Sequence, residues 1–183
     1  MQAELRALEA ALSKPERPVG AVVGGAKVST KIALLENLVN RLDTLIIGGG
    51  MANTFLAALG AQLGASLQEP AHFGTARDIL RQADKAGCRV ILPEDGLVAR
   101  KFAAGAPHEV KALNANTRLE GDQMVLDAGP ASIKIFAAAC DSLRTLIWNG
   151  PMGAFEIAPF ATATVAAAQL AAKRTVAGAL ISV

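Results

Sequence analysis

The sequence predicts a three-layer α/β domain, a mostly parallel sheet with helices on both faces. Three observations predict it. Short apolar runs alternate with segments of helical period along most of the 183 residues. Several of those runs end in glycine-bearing stretches, the usual ligand rim of a parallel sheet. The composition, 52% hydrophobic, rich in Ala and without Tyr, suits a tightly packed interior that a chain of this length can fill as one domain. A net charge of +2 gives no electrostatic case for nucleic acid or an anionic membrane.

Taken in order, Gln2–Leu12 places Leu5, Leu8 and Leu12 on one helix face, and Lys14-Pro15-Glu16-Arg17-Pro18 breaks that helix and serves as a linker. Residues 1–14 are therefore read as a helix and linker, and 15–183 as the main domain. Val19–Val23 reads as the first strand, followed by a helix from about Ser29 to Arg41. Leu45-Ile46-Ile47 is a second strand, with a helix from Met51 to about Leu59. Pro70 opens a helix that Gly87 closes, before a strand at Arg89–Leu92. A less regular region with Pro93, Gly96, Gly105 and Pro107 follows, in which Val110–Leu113 and Met124–Leu126 are expected to pair around the Glu120-Gly121-Asp122 turn. Pro130 opens a helix to about Ser142, Leu146-Ile147-Trp148 is a strand, and Pro159 opens a last helix to about Lys173. The uncharged stretch Thr44–Gln68 holds five glycines with Asn53 and Gln62, which fits a buried strand-turn-helix better than a membrane span.

The chemistry centres on Gly24-Gly25-Ala26-Lys27-Val28-Ser29-Thr30-Lys31. Two glycines let backbone approach a ligand, and a helix starting near Val28 would aim free N–H groups and its dipole at the same place. Lys27 and Lys31, four apart, would share one helix face and bring two charges to one anion; two solvated surface lysines after a glycine turn would give the same pattern. The spacing is not that of a Walker A loop. The strand ends at Gly24-Gly25, Gly48-Gly49-Gly50 and Asn149-Gly150-Pro151 should meet on one rim.

Cys88 and Cys140 lack metal or C-x-x-C spacing and read as small buried hydrophobes in a reducing compartment. No basic-then-apolar leader opens the chain, in keeping with a cytoplasmic protein. His72 and His108 read as surface residues, Trp148 as sheet core, and Asp95 and Asp127 as caps of neighbouring turns.

The glycine-lysine stretch, Leu45–Phe55 and Trp148–Glu156, with Leu92-Pro93-Glu94-Asp95 and Leu126-Asp127-Ala128-Gly129-Pro130 in order between them, closely resemble the phosphoglycerate kinase family. The resemblance implies a Rossmann-like, nucleotide-binding C-terminal lobe. Residues 1–14 would then be part of the interdomain helix, and the acceptor 3-phosphoglycerate would bind only through a separate N-terminal lobe. It implies reversible phosphoryl transfer between ATP and 3-phosphoglycerate in glycolysis, Mg2+ accompanying ATP or ADP, and a usually monomeric protein.

By the same resemblance, Lys27 contacts the nucleotide phosphates and Lys31, the catalytic lysine, accompanies the transferring phosphoryl group. Gly48, Gly49 and Gly50 form a flat wall against the adenine, though a helix entry needing positive φ would also explain them. Phe102 and Leu126 line the base pocket, where composition alone would place both in ordinary core. Asn149 and Gly150 lie near the phosphates, and Glu156 binds the ribose hydroxyls, with a surface acid beside Pro159 as the alternative. Gly25, Ala26, Pro151, Gly153 and Ala154 complete the nucleotide set.

The chain departs from the pattern at Thr30, where many members carry Asp, and at Val125, where many carry Gly and which could narrow the base pocket. It also reads Thr175–Val183 where the family continues into a Gly-Gly-Gly-Asp turn, so no metal-ligating residue is assigned. The polypeptide alone is accordingly expected to bind nucleotide weakly and to transfer no phosphoryl group. Competing expectations are a stand-alone nucleotide-binding module without catalysis, and a fragment that folds by docking through Leu5, Leu8 and Leu12.

Overall fold

The computed structural model describes residues 15–183, so the helix expected over Gln2–Leu12 and its docking face lie outside the described residues. Strand β1 (Val19–Val23) runs through a 3-10 turn at Val28–Thr30 into α1 (Ile32–Leu38), then β2 (Thr44–Ile47) and α2 (Gly49–Ala58). A second 3-10 turn, Pro70–His72, opens onto α3 (Phe73–Ala86) and β3 (Arg89–Ile91). Next come β4 (Asp95–Ala99), β5 (His108–Ala112), β6 (Met124–Ala128) and α4 (Pro130–Asp141). The chain finishes with β7 (Thr145–Asn149), α5 (Thr162–Val176) and β8 (Ile181–Ser182).

Five strands form a parallel sheet in the order β3-β2-β1-β7-β8. Alternation along β1 sorts the two faces: Val19, Ala21 and Val23 meet α1, α2 and α3 on one side, while Val22 meets α4 and α5 on the other. Gly20 also belongs to the second face, where a Cβ would fall 2.3 Å from the Leu143 side chain. Phe55, Leu35, Ile47 and Met51 are fully enclosed on the first side, each such burial contributing about 1.5–3 kcal/mol. The chain order turns back between β1 and β7, so the sheet's switch point, where ligands of open α/β sheets bind, lies between their carboxyl ends.

A second sheet departs from expectation. The apolar runs around 110 and 124 do not pair with each other; β5 and β6 both pair antiparallel with β4, in the order β5-β4-β6. The unforeseen strand β4 hides behind turn-like residues, and both are there for packing. The Asp95 carboxylate accepts from the N–H groups of Ala131 and Ser132 (3.0 and 2.8 Å) and caps α4. Gly96 makes room for Val125, whose Cγ1 would lie 2.8 Å from an added Cβ.

The helix expected from Ser29 to Arg41 is interrupted at Lys31, whose backbone (φ −131°) leaves helical geometry, and it ends at Leu38. The last helix starts at Thr162 rather than Pro159 and runs on to Val176, and β8, also unforeseen, adds the edge of the parallel sheet. Asp127 does for α5 what Asp95 does for α4: its Oδ2 accepts from Ala163 N–H at 3.0 Å, with Ala128 N–H on Oδ1.

These two buried carboxylates generate two predictions. Asp95→Ala leaves the α4 donors without their acceptor, so the unfolding free energy from denaturant titration should fall by about 1–3 kcal/mol; an unchanged midpoint contradicts the capping role. Asp127 is 2% exposed, and burial pushes its carboxyl up to about 6 against the pull of the backbone N–H groups. The folded chain therefore holds this proton more tightly than the unfolded chain does. That contribution to stability is fully present below the ordinary value of 3.8 and is lost as pH rises through about 6. Relative to the non-titrating Asp127→Asn, the wild type should gain up to about 3 kcal/mol between neutral pH and pH ~4; parallel pH–stability curves for the two proteins would contradict the assignment.

Candidate functional site

The tips of β1, β2 and β7 meet as the sequence predicts, backbone against backbone. Gly24 N–H donates to Asn149 O at 2.9 Å, Gly48 N–H to Val23 O at 3.0 Å, Gly49 N–H to Met152 O at 2.8 Å and Met51 N–H to Gly25 O at 3.0 Å. Such contact tolerates no side chain: a Cβ on Gly24 would sit 1.9 Å from Pro151 O, and one on Gly150 would sit 2.5 Å from Gly24 O. Gly49, at φ +66°, also needs the left-handed conformation with which it enters α2.

Against this rim opens a cleft of about 430 Å³. One wall is the glycine corner, Gly25 and Ala26 with Gly49 and Gly50. The facing wall is β6, including Leu126, and the loop Pro151–Ala154 with Glu156 closes the side. Phe102, 60% exposed, and Leu67, 51% exposed, form its lips. The second sheet thus supplies the wall that the parallel sheet lacks. The loop is pinned to both sheets and to α5: Ala154 N–H donates to Leu126 O at 2.8 Å, and Met152 N–H to the Thr164 hydroxyl at 3.0 Å.

Lys31 lies at the glycine end. Its ammonium donates to Gly24 O at 2.7 Å and to both the backbone and side-chain oxygens of Asn149. All three acceptors are neutral, and among the described residues no carboxylate pairs with it. Partial burial lowers its pKa from the ordinary lysine value. A half-buried cation without a counter-ion beside backbone glycines is suited to attract an anion. Asn149 and Gly150 enter the site through Lys31 rather than as cleft lining, Gly150 with its Cα so placed that a Cβ would lie 2.9 Å from the Lys31 Nζ.

One expectation is corrected here. Lys27 and Lys31 do not share a helix face: Lys27 precedes the 3-10 turn, is exposed and lies outside the cleft, because the helical path breaks at Lys31. Gly48 does not line the cleft, and its missing Cβ faces Met152, whose Sδ would be 2.7 Å away. At Gly49 and Gly50 a Cβ would strike the carbonyls of Gly25 and Ala26, each at 2.7 Å. The glycine run is explained by chain packing before any ligand is considered.

The sequence reading passed over Asn53, Leu67, Met124 and Met152, all of which line the cleft, and Asp127, read there as a cap. Asn53 was detectable: it follows Gly49 and Gly50 by four and three residues, on one face of a helix whose other residues, Thr54 apart, are apolar or glycine. A further contact holds the loop before Lys31, where Glu69 accepts from Ser29 N–H at 2.9 Å and from its hydroxyl, in keeping with a Glu69 pKa below the ordinary value. His108 is exposed but packs edge-on against Phe160 at 5.5 Å, and His72 is half-buried. Burial pushes both cysteine thiols up to about 11. Among the described residues no cluster of three metal-ligating side chains occurs.

The sequence model of the phosphoglycerate kinase family matches residues 1–183. The chain is 69% identical over 183 residues to a phosphoglycerate kinase of Roseobacter denitrificans and 59% identical to one of Ruegeria sp., and it spans 46% of the length of each. Among solved structures, phosphoglycerate kinase from Coxiella burnetii superposes with a TM-score of 0.87 at 41% identity, covering 94% of this chain and 44% of that one. The enzyme from Pyrococcus horikoshii gives 0.66 at 25% identity, covering 93% and 43%. With a match along its whole length and an α/β architecture shared with these structures, the chain belongs to the phosphoglycerate kinase family.

Proposed function

We propose that this chain is the C-terminal, nucleotide-binding lobe of a phosphoglycerate kinase. The single observation that carries the reading is Lys31, an ammonium without a counter-ion at the glycine end of a largely apolar cleft. In this reading the adenine lies between Leu126 and the Gly49–Gly50 corner, the ribose hydroxyls donate to Glu156, and the phosphates run toward Lys31, Gly25 and Lys27. The solvent-facing position of Lys27 leaves it free to swing onto the outer phosphates.

The reaction is the one the family name describes. A carboxylate oxygen of 3-phosphoglycerate bonds to the γ-phosphorus of ATP, the bond to the β–γ bridging oxygen breaks, and ADP departs with the electron pair. Lys31 compensates charge on the moving oxygens once it gives up one of its three neutral acceptors, an exchange that favours the charged partner. The acceptor is held by the part of the enzyme outside this chain, in a monomer of the cytoplasm. Among the described residues no helix is long and apolar enough to cross a membrane.

Mg2+ would accompany the nucleotide, but the described residues do not fit it. Of the two carboxylates that line the cleft, Asp127 has both oxygens on backbone N–H groups and Glu156 is assigned to the ribose. The isolated chain is accordingly proposed to be inactive.

Titration of the chain with Mg-ADP and with adenosine tests this reading. Lys31→Ala should weaken Mg-ADP about 10-fold or more and leave adenosine unchanged, while Glu156→Ala should weaken both. Indifference of Mg-ADP to both substitutions removes the pocket. Incubated with 3-phosphoglycerate and Mg-ATP, the purified chain should form no ADP; measurable turnover would refute the reading of an incomplete enzyme.

A further inference from the structure

Among the described residues, one buried side-chain acceptor in the cleft receives no hydrogen bond from the fold. Asn53 is 3% exposed, lies on α2 and lines the cleft. Its Nδ2 donates to Leu67 O at 3.2 Å, which fixes the plane and direction of the amide. Among the described residues no donor reaches its Oδ1. Neither is that oxygen sealed in protein, because the fully enclosed side-chain polar atom without a partner among the described residues is Arg174 Nε. Asn53 Oδ1 therefore opens to a space, and the space that Asn53 borders is the cleft.

The surroundings make this acceptor selective. The Leu67 carbonyl that orients it belongs to a segment fixed to β6, with Ala65 N–H on Gln123 O at 2.8 Å and Val125 N–H on the Ser66 hydroxyl at 2.9 Å. Leu67 and Val125 line the same cleft with apolar surface. The other carboxyl and amide groups near the cleft are committed or distant: Asp127 caps α5, Asn149 holds Lys31, and Glu156 stands in the opposite loop. A flat group entering this apolar slot meets one fixed, buried acceptor. It must bring a donor, or leave both acceptors unpaired in a dry site.

We propose that Asn53 is a specificity-determining residue that selects a 6-amino purine, adenine, over a 6-oxo purine by accepting a hydrogen bond from the exocyclic amine. The proposal rests on the nucleotide reading of the cleft. The amine of adenine donates to Oδ1, whereas hypoxanthine sets a carbonyl oxygen against it. The Nδ2 cannot rotate to answer without abandoning Leu67 O.

The test is isothermal titration of the full chain with ADP and with IDP, which share the ribose and the diphosphate. A neutral hydrogen bond of ordinary worth corresponds to about 3- to 10-fold, so the wild type should bind ADP tighter than IDP by about that factor. In Asn53→Leu and in Asn53→Ala the ratio should fall to about 1, mainly through loss of ADP affinity. A structural role alone would weaken both ligands together and leave the ratio unchanged, which overturns the proposal. Equal binding of ADP and IDP by the wild type also overturns it and needs no variant to fold. If neither nucleotide binds to the wild type, the nucleotide reading itself fails and takes this inference with it; if both bind without discrimination, only the role of Asn53 falls.

Discussion

The constraint on which the rest of the structure depends is the abutment of three strand tips with no side chains between them. Gly24 lies under Pro151 and Gly150, and Gly49 lies against Gly25, at separations that a single methyl group would prevent. Backbone can come this close only where each N–H finds a carbonyl, and the tips of β1, β2 and β7 exchange bonds accordingly. Two consequences follow from that economy of space. The cleft gains a wall of bare backbone, and the carbonyls of Gly24 and Asn149 remain turned to one point, which Lys31 fills.

The position of Lys31 is a balance of opposing terms. Burial penalises the ammonium, and neutral oxygens repay part of that cost without cancelling the charge. A carboxylate in place of Asn149 would pair with it and quench the field that the cleft presents. The two buried acids near the cleft are handled in the opposite way. Asp95 spends both oxygens on the first N–H groups of α4, and Asp127 divides its two between α5 and the N–H of Ala128, so their charge is absorbed by backbone dipoles. The fold thus keeps an unquenched cation beside anions that are structurally occupied.

Much of the parallel sheet was legible because its signals are local. Val19–Val23 and Leu45–Ile47 are apolar runs bounded by glycines, Gly87 closes α3 in the left-handed conformation, and Pro130 opens α4. What escaped is what distant contacts decide. The strand β4 begins with Asp and Gly, which local propensity assigns to a turn, yet their roles are set by distant residues, Ala131 and Ser132 for Asp95 (36 and 37 residues on) and Val125 for Gly96. The Lys31 ammonium is held by both oxygens of Asn149, 118 residues on, which no window around residue 31 contains. Of the site, the glycines and lysines could be named from their motifs. Only coordinates distinguish glycines that serve packing, such as Gly48, from those that border the cleft.

The second sheet explains why the site needs more than a parallel sheet. A switch point alone offers an open edge, where the chain leaves β1 and β7 toward opposite faces of the sheet. Here the chain leaves the parallel sheet after β3, builds β4, β5 and β6, and returns through α4 to β7, so β6 faces the glycine corner across the cleft. The loop after β7 then bonds to β6 through Leu126 O and rests Gly153 on Asp127, where a Cβ would lie 2.2 Å from a carboxylate oxygen. Cleft width is therefore set by contacts between two sheets and a helix cap, not by either sheet alone. Any motion that widened it would have to break the Ala154 bond or uncap α5, which makes these walls a stiff frame and leaves Phe102, Leu67 and the Lys31 ammonium as the parts able to adjust to what enters.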